Sequence, residues 1–181
     1  FAGGEPLLME EHYRILEELV QRKLFHVRLI YNTNFTHTEL KGNSVFEYWK
    51  QFDSVAVGAS LDAMGPRAEY IRKGTDWQEV EANRRLMLET CPDVDFYISP
   101  TLSIQNALHI PDFHRDWVEK GLLKPQDLNV NLLQDPEWLR IDIAPQHYKD
   151  KIKAKFENSG FGHRSDQSAS RSRGNAAARG G

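Results

Sequence analysis

The residues with the clearest chemical potential form the segment Gly3-Gly4-Glu5-Pro6, which follows an apolar pair and precedes a helical pattern. Successive glycines let a ligand approach the backbone closely. They also let the chain adopt backbone conformations that other residues disfavour. Glu5 adds a carboxylate that can accept hydrogen bonds from a ligand ammonium group. Four residues are equally typical of a tight turn with an exposed acid, so this segment alone leaves both interpretations open.

Similar polar residues follow three other apolar runs of the chain. Asn34 comes after the run at 26–31, Ser60 and Asp62 come at the end of the run at 54–61, and Asn106 follows the run at 94–103. Ser and Asp at such positions can meet ligand hydroxyl or carboxylate groups. They are also common in turns and helix caps, and taken alone that second interpretation is favoured.

Predicted helices and strands alternate along the chain. Helical spacing or capping signals favour helices at 10–24, 44–52, 76–89, 112–120 and 144–156, and β-rich runs favour strands at 26–31, 54–61, 94–103 and 128–133. This alternation predicts an α/β fold with parallel strands. Right-handed crossovers wind such a sheet toward a barrel or an open doubly wound sheet. Ligands then sit at the carboxyl ends of the strands, in the predicted loops 2–6, 32–36, 60–67, 103–109 and 133–138.

The strand-end motifs, taken in order, resemble the radical S-adenosylmethionine superfamily. The matching segments are Phe1–Leu8 for its GGEP motif, Tyr31–Asn34 for a TNG-type strand end, Ala56–Asp62 for an SLD end, Tyr70–Gly74 for an IR-x-G segment and Thr101–Asn106 for the fifth strand end. Phe35 stands where the family usually has glycine. The resemblance covers about residues 1–135, and five weak motifs in the right order are together more specific than any one of them.

The resemblance implies a partial (βα) TIM-like barrel with parallel strands, truncated at its N-terminus, over residues 1–157. A disordered low-complexity tail is expected at 158–181, because Gly, Ser, Ala and Arg there provide little apolar surface to bury. Residues 1–157 would bind S-adenosylmethionine. The implied ligand contacts are Gly3, Gly4, Glu5, Asn34, Ser60, Asp62, Arg72 and Asn106.

Each implied contact has its own role in the family pattern. Gly3, Gly4 and Glu5 would hold the methionine amino group. Ser60 and Asp62 would meet the ribose or the methionine carboxylate, and Arg72 would pair with that carboxylate, with Arg67 as its rival. Asn34 and Asn106 would contact the nucleoside or the substrate, and ordinary loop-forming asparagine is the alternative for both.

The resemblance also implies a 4Fe-4S cluster, an external electron donor and a 5′-deoxyadenosyl radical that modifies a substrate. Cys91 is the chain's one cysteine, so the cluster ligands are expected upstream of Phe1. We therefore expect an active parent enzyme, an inactive isolated chain, and no catalytic or metal-binding residue within it. Thr90-Cys91-Pro92 and Asn106–Trp117 resemble proteins with a twitch domain more narrowly, which favours a peptide substrate and leaves a sugar or a nucleotide open.

Composition excludes other classes of function. The net charge of −3 gives no reason to expect nucleic acid or membrane partners, and no apolar run approaches a membrane span. One cysteine fits a reducing, cytoplasmic setting. Cys91 is expected to have no basic neighbour that would lower its pKa and therefore to be inert. His109 and His114 are poorly spaced for zinc, because Pro111 interrupts a helix between them.

Two alternative functions remain at this point. The first is a barrel relic that binds a nucleotide-like ligand or a partner without redox chemistry. The second is an unrelated α/β enzyme of the TIM-barrel kind that uses Glu5 and Asp62 as acid and base, which predicts activity without iron or a reductant.

Overall fold

The computed structural model describes residue 1 and residues 3–159. Its elements in chain order are α1 (Glu10–Gln21), β1 (Leu29–Thr33), β2 (Glu39–Leu40), β3 (Asn43–Ser44), α2 (Val45–Trp49), β4 (Val55–Ala59), α3 (Gly65–Ile71), α4 (Trp77–Thr90), β5 (Asp95–Ile98), β6 (Thr101–Leu102), α5 (Ile110–Glu119), β7 (Asn131–Leu132) and α6 (Gln146–Asn158). Short 3-10 helices lie at Pro6–Leu8, Glu137–Leu139 and Ile141–Ile143.

The central sheet has the order β1-β4-β5, and all of its strands are parallel. On the β1 side, the carbonyl of Phe1 accepts a hydrogen bond from Asn32 N at 3.1 Å and its ammonium group donates to Ile30 O at 2.6 Å, which is the pattern of a parallel neighbour. On the β5 side, Leu128 forms a parallel bridge with Ile98, and β7 then pairs in parallel with β6. These strands and strand ends therefore lie across the sheet in the order in which they occur along the chain.

This order confirms the predicted α/β fold with parallel strands. A sheet that adds every new strand on the same side winds in one direction, whereas a doubly wound sheet reverses direction part-way. Within the described part of the chain the sheet stays open, so a closed TIM-like barrel remains a prediction.

The two faces of the sheet differ. Tyr31, Val57 and Phe96 are paired across the strands and buried beneath the helices, where they contact a core rich in aromatic residues. On the opposite face, Ile30 is 46% exposed. Also on this face, the ring of Tyr97 lies so close to Gly58 that a Cβ added there would be 2.8 Å from three of its atoms. A side chain at position 58 would therefore force the Tyr97 ring to move, which favours glycine there.

Local sequence signals explain where several helices begin. Ser44 Oγ accepts a hydrogen bond from Phe46 N at 3.3 Å at the start of α2, as its predicted capping role requires. Asp76 Oδ1 accepts from Gln78 N and Glu79 N at 2.9 and 3.2 Å at the start of α4. These side chains satisfy backbone donors that a helix start leaves unpaired.

Two prolines lie in helices where the sequence predicted a turn or a helix break. Pro66 follows Gly65 in a segment that reads as turn chemistry, but it occupies the first turn of α3, a helix that was not predicted. Pro111, expected to interrupt a helix, likewise lies in the first turn of α5. Both positions suit proline, because the missing N–H would have no partner in a first helical turn.

Two further differences concern strands. The predicted strand 94–103 is divided into β5 and β6, with Ser99 and Pro100 between them. The hairpin of β2 and β3 was missed, and its two-residue turn has Lys41 at φ 51° and Gly42 at φ 81°, which is typical of tight hairpins. Neither short strand carries an alternating pattern long enough to be recognised.

The predicted tail at 158–181 lies almost entirely outside the described residues. Asn158 is the last residue of α6, and Ser159 follows it. In the described part of the chain, no helix combines the length and the apolar character that crossing a membrane requires.

Candidate functional site

Glu5 lies at the centre of a hydrogen-bond network at the carboxyl end of β1. Its Oε1 accepts from Thr33 Oγ1 at 2.6 Å and from Leu7 N at 3.3 Å, and its Oε2 accepts from Asn34 N at 2.7 Å. The side chain is partly buried. Three donors from two segments thus fix the direction of the carboxylate, and this network joins Glu5 to Asn34.

Gly3 and Gly4 bring the chain into this position through unusual backbone angles. Their φ values are 89° and 63°, in the region that side chains disfavour. No atom lies within 4 Å of the place where a Cβ would sit on either residue, and both are exposed. The conformation favours glycine at these positions, and the space beside their backbone is open to a ligand.

The loop after β1 has a second unusual conformation at Phe35, which has φ 59° although it is not glycine. Its side chain is fully buried, with ring centroids 5.1 Å from Phe96 and 6.5 Å from Phe46. Its N–H donates to Thr33 Oγ1 at 2.9 Å, and Asn34 Oδ1 accepts from Thr36 N at 3.0 Å. Core packing therefore holds a residue in a conformation that costs about 1 kcal/mol or more.

Ser60 lies beside this network. Its N–H donates to Thr33 O at 2.8 Å and so extends the pairing of β1 and β4 by one residue. Its side chain is partly buried. The same Thr33 also bonds to Glu5 through its hydroxyl, so one strand-end residue connects Ser60 to the carboxylate.

Asp62 forms the centre of a second network. Its Oδ2 accepts from Arg72 Nε at 2.7 Å, and its Oδ1 accepts from Thr101 N at 2.7 Å. The Asp62 side chain is 9% exposed and that of Arg72 is 37% exposed. The pair joins the end of β4 to the residue after α3 and to the start of β6. Arg67, the rival of Arg72, instead donates to Gln105 O at 2.7 Å.

Asn106 completes the second network from inside the protein. Only 1% of it is exposed. Its Nδ2 donates to Asp62 O and Thr101 O, both at 2.9 Å, and its Oδ1 accepts from Ser103 N at 2.8 Å. These bonds hold two strand-end loops together, and they use the amide for internal contacts. Contact of Asn106 with a nucleoside or a substrate stays a prediction.

The predicted ligand contacts therefore form two groups. Gly3, Gly4, Glu5 and Asn34 surround the first strand ends, and at the next ones Asp62 is bonded both to Arg72 and to Asn106. Ser60 lies at the end of β4, between the two groups. Thr33 lies within the Tyr31–Asn34 motif but was not predicted to be a site residue, and Asn83 was missed because a mid-helix Asn carries no signal of its own.

His109 and Cys91 fit structural roles. His109 Nε2 accepts from Met64 N at 3.3 Å, and burial lowers the pKa of His109 below its ordinary value. Burial raises the pKa of the Cys91 thiol to about 11, so the thiol is protonated at neutral pH. The expectation that Cys91 has no basic neighbour was wrong, because the charge of Arg84 acts on it, but burial outweighs that effect.

One cavity lies at the other end of the strands. A cavity of about 270 Å³ is lined by residues that include Val55, at the start of β4, and Cys91 and Val94, just before β5. In parallel α/β folds this end of the sheet contributes to stability, whereas ligands bind at the carboxyl ends. Among the residues that the structure describes, no group of three or more His, Cys, Asp or Glu is placed to hold a metal ion.

A solved structure shares this fold. It is described as native anSMEcpe with bound AdoMet and Cp18Cys peptide, and it matches with a TM-score of 0.60 at 22% sequence identity. The similarity shows the fold alone. The match covers 87% of this chain and 45% of the other, so this chain spans less than half the length of that protein. No family model and no curated protein matches the sequence.

Proposed function

We propose that this chain forms the S-adenosylmethionine-binding part of a radical S-adenosylmethionine enzyme. The observation that carries the proposal is the anchored carboxylate of Glu5 beside the open backbone of Gly3 and Gly4. The ordered strand-end motifs support it, as does a shared fold with a protein whose structure contains AdoMet and a peptide. The sheet would then be one arc of a TIM-like barrel, with its exposed face toward the interior.

The donors and acceptors of the first network suit a methionine amino group. A carboxylate has about four acceptor sites, two on each oxygen. Internal donors use two sites on Glu5 Oε1 and one on Oε2, so Oε2 retains one site for an ammonium hydrogen. The backbone beside Gly3 and Gly4 is unobstructed, so a ligand can lie next to it.

The second network suits the negatively charged carboxylate of the methionine part of the ligand. Arg72 uses one of its five N–H donors on Asp62 and is more than a third exposed, so its remaining donors can meet the methionine carboxylate. Ser60 and Asp62 are proposed to face the ribose, and Asn34 and Asn106 the nucleoside or the substrate. For Asn106 we propose that the contribution is indirect, because its amide holds the loops that carry Asp62 and Thr101.

The described residues do not fit a 4Fe-4S cluster. In the family that the motifs resemble, three cysteine thiolates hold this cluster, and the one cysteine of this chain is buried and protonated. The cluster is therefore proposed to be held by cysteines of a longer parent protein, upstream of Phe1. The parent would act on a substrate, with a peptide favoured, in the cytoplasm and with an external electron donor. A twitch domain in that parent remains part of the proposal, and the isolated chain is proposed to be inactive.

Binding of S-adenosylmethionine to the 181-residue chain tests the proposal without requiring the cluster. We expect saturable binding in isothermal titration calorimetry. Glu5→Gln should weaken it about 30-fold, since a hydrogen bond to a charged group contributes roughly 2 kcal/mol. S-adenosylhomocysteine retains the amino group and should show the same loss. 5′-Methylthioadenosine lacks it, and its affinity should change less than twofold.

Glu11→Gln is the matched control, because Glu11 is an exposed acid in the first turn of α1. It should leave all three affinities unchanged. Absence of saturable binding in the wild type would contradict the proposal. An equal loss for 5′-methylthioadenosine in Glu5→Gln would show that Glu5 supports the fold rather than an amino group. A non-catalytic relic would bind these ligands equally well, and only upstream cysteines in the parent gene separate it from the enzyme.

A further inference from the structure

Asn83, in the middle of α4, reaches the loop that follows β1. Its Nδ2 donates to Thr36 O at 2.9 Å and to Phe35 O at 3.2 Å, and its Oδ1 accepts from Thr38 Oγ1 at 3.0 Å. Both amide hydrogens and the amide oxygen are thus directed at one short segment, 45 to 48 residues away in the sequence.

This segment needs such a partner. Phe35 has a positive φ, which turns the backbone out of the strand, and Phe35, Thr36 and Thr38 are all buried. Buried carbonyls must be paired, or they cost about 1–3 kcal/mol each. Asn83 supplies hydrogen-bond donors to two successive carbonyls of this turn and holds its far end through Thr38.

The near end of the same segment supplies the donors that orient Glu5. The N–H of Asn34 donates to Glu5 Oε2, and the hydroxyl of Thr33 donates to Oε1 while accepting from the N–H of Phe35. A change in the backbone at Phe35 therefore displaces both donors at once. The contacts form one continuous path from Asn83 to the carboxylate.

We infer that Asn83 is a positioning residue for Glu5. It contacts no ligand, and it fixes the loop whose N–H and hydroxyl aim the carboxylate at the amino group of the bound molecule. The inference rests on the proposed function for the identity of that molecule. Carboxylates that bind a ligand ammonium group lose affinity when their supporting contacts are loosened, because the binding geometry is no longer held in advance.

The test combines two variants and two measurements on the full chain. Asn83→Ala removes all three bonds and replaces Asn with the best helix former. Asn83→Asp keeps the shape and the acceptor for Thr38 but removes both donors. Nuclear magnetic resonance with ¹⁵N-asparagine labelling reports the Asn34 amide, and calorimetry gives the affinities for S-adenosylmethionine and 5′-methylthioadenosine.

In both variants we expect the Asn34 amide proton to shift upfield as its bond to the carboxylate lengthens. Affinity for S-adenosylmethionine should fall about tenfold, the equivalent of one hydrogen bond, while that for 5′-methylthioadenosine changes less than twofold. Arg85→Ala, at an exposed position on the same helix, should alter neither quantity. A merely structural role for Asn83 would lower both affinities alike.

An unchanged Asn34 amide in Asn83→Asp would overturn the inference, as would a shifted amide with full affinity for S-adenosylmethionine. Failure of the wild type to bind S-adenosylmethionine contradicts the proposed function instead. In that case the amide shift still decides whether Asn83 holds the loop against Glu5.

Discussion

Replacing Asp62 with Asn tests whether the second network is a structural junction. Asn is the same shape, but it has one acceptor oxygen where the carboxylate has two. If that oxygen accepts from Thr101 N, the new NH₂ group faces Arg72 Nε, which is also a donor. The opposite orientation places it against Thr101 N. In either orientation, one of the two hydrogen bonds to residue 62 is lost, and the new NH₂ group faces another N–H donor.

The magnitude follows from the burial of the two partners. A hydrogen bond to a charged group contributes about 1.5–3 kcal/mol. Breaking a fully buried ion pair costs roughly 3–5 kcal/mol, but Arg72 is 37% exposed, so water can replace part of what it loses. We therefore expect Asp62→Asn to lower the free energy of unfolding by about 2 kcal/mol. A double-mutant cycle with Arg72→Met should give a coupling energy of about 1–2 kcal/mol.

Urea unfolding at pH 7.5 without ligand, followed by tryptophan fluorescence, measures these quantities. The ion pair of Glu11 and Arg14 is the control, because its side chains are 64% and 71% exposed. Its coupling should stay below about 0.5 kcal/mol. A coupling between Asp62 and Arg72 as small as the control would refute the structural interpretation. Asp62 would then matter through the ligand, and Asp62→Asn would reduce only the stabilisation that added S-adenosylmethionine provides.

Two further predictions concern the first network and its surroundings. Gly4→Ala should lower the free energy of unfolding by about 1 kcal/mol, because alanine disfavours φ 63°, and an unchanged urea midpoint would contradict this. His12 is buried, with its Nε2 2.9 Å from Tyr31 Oη, and burial lowers its pKa to about 4. The unfolded chain therefore binds the extra proton between about pH 6.5 and 4, and stability should decline as the pH falls through that range, by up to about 1.4 kcal/mol per pH unit. His12→Gln should remove this part of the slope in urea titrations, and parallel slopes for the two proteins would count against it.

Much of the fold could be predicted because its signals are local. The caps Ser44 and Asp76 mark helix starts within a few residues, and the alternation of apolar runs with helical patterns indicates parallel strands. Proline is ambiguous, since it suits both a turn and the first turn of a helix, and this ambiguity concealed α3 and misplaced the start of α5. Strands of two residues carry no period, so β2 and β3 could not be recognised.

The candidate site was predictable only in part. Glu5, Asp62 and Arg72 attract attention as charged groups at strand ends, where parallel sheets bind ligands. Their partners are different in kind. The packing of the elements decides whether Arg72 or Arg67 pairs with Asp62, and it also brings Asn83 to Phe35 from another helix. A single sequence does not reveal such distant pairs.

Because the ring of Tyr97 packs against Gly58, substitutions at these two positions depend on each other during evolution. Even alanine at position 58 would force the ring to move, so a substitution there is disfavoured while tyrosine remains at 97. The more favourable order begins with a smaller residue at 97, which opens a gap on the exposed face of the sheet until a side chain at 58 fills it. The order of the two changes therefore matters, and the return to the present pairing would take the same two steps in reverse.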